Sequence, residues 1–156
     1  MSIPSPENKT RHFFLVSSGV LLGLTGAIKL ISTISPAKLL ATPDAVFYLP
    51  RWELLAAAGI VEVAVAAYIF VGRQGMLKVQ MIAWLAGILS IYRLGMLWVE
   101  SPVPCSCLGN ATDWFPFLAP YENPAMIGLL IYLFSGSLLC LIGNRWPRIQ
   151  ITIPLG

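Results

Sequence analysis

The chain has 156 residues, 57% of them hydrophobic and only 11% charged. So little polar side chain excludes a soluble globule of this length, and the length itself leaves room for one compact unit. The net charge of +3 comes from scattered basic residues and forms no patch of the kind that binds nucleic acid.

In chain order, Lys9, Arg11 and His12 lead into a first apolar run over 13–33. About 20 helical residues cross a hydrocarbon core of about 30 Å, so this run is long enough to span. It is too long for the hydrophobic region of a cleaved leader, and it carries Lys29 and no small-x-small site close behind. It is therefore read as a retained helix. Gly19, Gly23 and Gly26 recur along it at packing intervals.

Pro36, Pro43 and Pro50 punctuate the connection that follows, with Lys38-Leu39-Leu40 and Val46-Phe47-Tyr48 between them. That composition suits a segment lying in the membrane interface, with Trp52 anchoring the return. The second run, 52–72, holds Gly59 and Glu62. A tight turn, Gly72-Arg73-Gln74-Gly75, reverses the chain into a third run over 76–99, which contains Gly87, Arg93 and Gly95.

The connection 100–123 contains Pro104-Cys105-Ser106-Cys107-Leu108-Gly109 and also Pro102, Pro116 and Pro120. Prolines fix φ and remove donors, which makes this stretch stiff and non-helical near the cysteines. Trp114, Phe115, Phe117 and Tyr121 fit an aromatic interface belt. Pro124 opens the fourth run, 124–143, as a first-position proline would. This run holds Gly128, Gly136 and Cys140. Cys140 is read as a small core hydrophobe.

No run alternates with period two, so the expected fold is an all-α membrane protein, a four-helix bundle over 13–143. Residues 1–12 and 144–156 flank it as tails. Lys9, Arg11, Arg73, Lys78, Arg145 and Arg148 fall on one side, which the positive-inside rule makes cytoplasmic together with both termini. Lys38, Arg51, Asp44, Glu53, Glu100, Asp113 and Glu122 fall on the other side with the cysteine pair. That face is where disulfides form and persist. Asn8-Lys9-Thr10 lies on the cytoplasmic side and Asn110-Ala111-Thr112 hugs the membrane, so neither is read as a glycan acceptor.

Three chemistries fit Cys105 and Cys107. A bridge across one residue closes almost no loop and strains the disulfide, which makes a poor staple and a ready redox couple. Two thiolates also bind copper(I) or zinc, although a closed zinc site needs about four ligands. Asp113, Met96 and Met126 are the only nearby supplements, and His12 lies on the other face. The third option is a pair that merely braces the loop of an accessory subunit or small transporter.

Lys29, Glu62 and Arg93 form a second constellation. Charges within spans are costly and normally turn inward and pair. Alternating helix directions place Lys29 and Arg93 in the same half, with Glu62 near the midplane, so an ion pair from Glu62 to one of them is expected. It serves either as a clamp on helix register or as a polar pocket that binds a quinone headgroup or passes a proton.

These residues carry a family resemblance. Gly23-Leu24-Thr25-Gly26-Ala27-Ile28-Lys29-Leu30 and Ala58-Gly59-Ile60-Val61-Glu62-Val63 resemble the first and second helices of DoxX-like membrane proteins. Pro104-Cys105-Ser106-Cys107-Leu108-Gly109 is similar to the Cys-x-Cys-Phe-Gly segment of MauE proteins of methylamine utilisation, with Leu108 in place of the aromatic. The resemblance implies a multi-pass inner-membrane protein supporting extracytoplasmic thiol–disulfide exchange. It implies a protein partner, as in maturation of a methylamine dehydrogenase subunit, and a link to quinones. Cys105 and Cys107 would be the exchanging pair, whereas Lys29 and Glu62 match motifs of the fold alone.

Overall fold

The computed structural model describes residues 6–34, 43, 44, 46–99, 117 and 119–145. They form four helices: α1 (Pro6–Ile34), α2 (Arg51–Val71), α3 (Gly75–Trp98) and α4 (Ala119–Arg145). All four are long and apolar enough to cross a bilayer, and there is no strand among the described residues, only an isolated bridge between Pro43 and Pro50. Helices are what the composition demands, because a chain in hydrocarbon must satisfy its backbone internally. The outward faces remain apolar: Trp98 is 89% exposed and Val71 is 83% exposed. Water would not tolerate an apolar belt of this extent, whereas lipid covers it.

Two helix starts differ from the sequence expectation. α1 begins at Pro6, so residues 6–12 are helical and continuous with the first run. α4 begins at Ala119 and takes Pro124 inside it. Proline is free of penalty only where the helix's first N–H groups lack partners anyway. Pro124 lies just past that first turn and costs one hydrogen bond, to the carbonyl of Pro120.

Helices α1 and α2 pack most closely on each other, as do α3 and α4. Gly26 and Gly59 set the first crossing, since a Cβ on either would stand 3.0 Å from the other's carbonyl oxygen. Phe14, Leu22, Val65, Ala66, Ile69, Ile82, Leu85, Ala86 and Leu133 build one core shared by all four helices. Ser17 Oγ lies 2.6 Å from the Tyr132 hydroxyl, and the Phe14 and Tyr132 rings meet tilted at 5.6 Å, which ties α1 to α4.

The turn 72–74 closes with the Gly72 N–H donating to Tyr68 O at 2.8 Å. Arg11 reaches this turn, because a Cβ on Gly75 would stand 2.8 Å from its Nη2. One end of the bundle therefore gathers Arg11, Arg73 and Lys78. The opposite end is built from the C-termini of α1 and α3 and the N-termini of α2 and α4.

Candidate functional site: a charged cavity between α2 and α3

That opposite half holds the buried charges. Lys29 is one helical turn beyond Thr25 on α1, and both face Glu62 on α2 where the two glycines bring the backbones together. Lys29 Nζ donates to Glu62 Oε1 in an ion pair with both side chains buried. Thr25 Oγ1 lies 3.0 Å from Glu62 Oε2 and 3.0 Å from the carbonyl of Leu21. A hydroxyl has one proton to give, and the carboxylate is the stronger acceptor. Both carboxylate oxygens of Glu62 are thus engaged from α1. The expected ion pair is present, and Lys29 is its cation.

Arg93 makes a different bond, from Nη2 to Oδ1 of Asn123 on α4. Lys29 and Arg93 both line a cavity of about 460 Å³ between α2 and α3, a volume that suits a small ligand. Leu85, Leu89 and Leu130 supply part of its apolar wall. Val61, Trp84, Ile88 and Ile91 also line it while remaining exposed on the outer surface. The cavity therefore opens sideways, onto the face that lipid covers.

Sequence reasoning missed the group that closes one end of this cavity. Asp44 is 2% exposed and starts an Asx turn, its Oδ1 accepting from the N–H groups of Val46 at 2.9 Å and Phe47 at 3.1 Å. Its Oδ2 accepts from the Tyr92 hydroxyl at 2.6 Å, and Phe47 stacks parallel to the Tyr92 ring with centroids 5.9 Å apart. Tyr48 takes φ 56°, and this left-handed residue lets the chain turn back so that the Asp44 N–H meets Leu49 O at 2.8 Å. Burial pushes the Asp44 carboxyl up, but the bonds from Tyr92, Val46 and Phe47 and the charge of Arg51 outweigh it. The net result lies below the usual aspartate value. The available signal was Pro43-Asp44, a common turn opening, but nothing in the sequence pointed to Tyr92 as its partner.

Cys105 and Cys107 lie outside the described residues. Their segment joins the C-terminus of α3 to the N-terminus of α4, the end of the bundle that holds the cavity. Cys140 is half-buried against the core, as its reading as a small hydrophobe expects. Phe117 and Tyr121 are exposed. Among the described residues, no cluster of three or more His, Cys, Asp or Glu could hold a metal ion. No protein-family model, curated protein or solved structure matches the chain.

Proposed function

We propose that the chain is a membrane component of extracytoplasmic thiol–disulfide exchange, with both termini cytoplasmic and Cys105 and Cys107 as the exchanging pair. The supporting observation is the laterally open cavity with Lys29 and Arg93 on its wall, at the end of the bundle where the cysteine segment leaves α3 and enters α4. A thiolate of the partner protein attacks the Cys105–Cys107 disulfide and forms a mixed disulfide, releasing the other cysteine as thiolate. The partner's second thiol then attacks the partner's own sulfur in that mixed disulfide and expels the chain's remaining cysteine as thiolate. The partner gains one disulfide, and the chain is left with two thiols.

Closing the pair again releases two electrons and two protons. A lipid-soluble quinone is the class of acceptor that takes both. The cavity's volume, apolar wall and lateral opening fit such a molecule, and Lys29 and Arg93, with Glu62 behind Lys29, suit a headgroup bearing oxygen acceptors.

The test is thiol alkylation of native membranes carrying a Cys140→Ser chain. Cys105 and Cys107 are expected to resist a maleimide reagent until reductant is added. Each single variant, Cys105→Ser or Cys107→Ser, is expected to label without reductant at whatever fraction of its remaining thiol is not held in a disulfide with the partner. Full labelling of the unreduced parent in every growth condition would overturn the reading.

A further inference from the structure

Arg51, the first residue of α2, has no part in the exchange. It is 7% exposed, yet among the described residues its Nε and Nη1 have no hydrogen-bond partner. A guanidinium carries five N–H donors, and leaving buried donors unsatisfied is costly. The carboxylate within reach of its charge, Asp44, does not meet the demand. Asp44 accepts at Oδ1 from two backbone N–H groups and at Oδ2 from Tyr92.

The side chain of Arg51 lines the cavity, as do Lys29 and Arg93, and Asp44 is the only carboxylate among the described lining residues. The N-terminus of α2 adds its own partial positive charge, because Pro50 offers no capping side chain there. Among the described residues, the charged groups facing this corner therefore leave an acceptor missing. Away from it the wall is apolar and opens between α2 and α3, past Val61 and Ile88, onto the lipid-facing surface.

We propose that the cavity binds an anionic amphiphile, a carboxylate or phosphate monoester on a single hydrocarbon chain. Its acidic head lies at Arg51 and its chain along the α2–α3 wall. This goes beyond the exchange reading, and either can fail alone. A quinone would use the same wall, so the two occupants exclude each other.

The probe is a brominated long-chain fatty acid titrated into the purified full-length protein in neutral detergent, read by quenching of tryptophan fluorescence. Trp84 lines the cavity, and the signal attributable to it is the part lost in Trp84→Phe. Saturable quenching is expected with the acid and also with the brominated alkyl phosphate, and weak quenching with the methyl ester. The stronger of the two anions identifies the source of the headgroup. Arg51→Gln is expected to weaken acid binding about tenfold or more, the scale of a charge-assisted bond, while leaving the ester unchanged. Arg51→Lys is expected to restore part of the affinity.

Equal quenching by acid and ester on the wild type would overturn the proposal, and this comparison needs no variant to fold. Unchanged acid affinity in a folded Arg51→Gln would overturn it as well. Cys105→Ser and Cys107→Ser are expected to leave this binding unaltered, which separates it from the redox reading.

Discussion

Gly26 on α1 and Gly59 on α2 approach so closely that a methyl group on either would stand 3.0 Å from the other's carbonyl oxygen. At Gly26 the same methyl would also lie 2.9 Å from Val63 Cγ2. The glycines therefore decide whether Lys29 and Glu62, one turn away on each helix, can meet. Gly26→Ala is expected to lower stability by about 1–3 kcal/mol, since overpacking forces the backbones apart. Gly23→Ala is the control, because its methyl meets only Ala66 Cβ at an ordinary 3.7 Å. Thermal unfolding in detergent should show a drop for Gly26→Ala and little change for Gly23→Ala.

The buried Lys29–Glu62 pair is expected to behave as a unit. Lys29→Met leaves Glu62 buried without its cation, and removing one partner of such a pair costs about 3–5 kcal/mol. Lys29→Met combined with Glu62→Met removes both charges and should recover most of that loss. A double-mutant cycle by unfolding in detergent checks this. Additive losses would show that the two side chains are not coupled.

Acid should release the loop that Asp44 closes. Its carboxyl lies below the usual aspartate value, so it contributes stability that is present above the unfolded value of about 3.9 and is lost as pH falls through the folded one. Tyr92→Phe removes a bond that favours the charged form, which moves the loss to higher pH and costs about 1–3 kcal/mol for the carboxylate oxygen left without its donor. Asp44→Asn keeps an acceptor for Val46 and Phe47 but no longer titrates. Melting temperature measured between pH 7 and pH 3 should fall in the wild type, fall earlier in Tyr92→Phe, and lose this component in Asp44→Asn.

Gly136 accommodates Phe14 between α4 and α1. A Cβ there would stand 2.2 Å from Phe14 Cε2, too close for any side-chain adjustment short of moving the ring. Gly136→Ala is expected to destabilise the bundle, and Phe14→Leu in the same chain should relieve much of that cost. Non-additive melting temperatures across the two single variants and the double would confirm the contact.

The four spans were legible because hydrocarbon leaves a helix little choice and run length is enough to find one. The Lys29–Glu62 pair was legible for a related reason, since a charge in a span needs a partner. The start of α4 was not, because Pro124 looks the same at a first helical position as it does one turn further in. Asp44, Arg51 and Tyr92 were also hidden. A carboxylate in a proline-rich connection reads as solvated, and its burial depends on how the loop folds back on α3, which no local pattern encodes. Sequence position left Lys29 and Arg93 equal candidates for Glu62, and the close crossing at Gly26 and Gly59 is what brings the cation from α1.

The most direct test of exchange at Cys105 and Cys107 is trapping of the mixed disulfide. In membranes quenched with acid and run without reductant, Cys105→Ser or Cys107→Ser in a Cys140→Ser background should hold a partner protein in a reducible adduct, because the remaining thiolate attacks the oxidised partner's disulfide and the chain's second cysteine is no longer there to release it. At least one of the two variants should show it, and the parent should not accumulate it. If neither variant ever forms such an adduct while both remain folded in the membrane, thiol–disulfide exchange is contradicted.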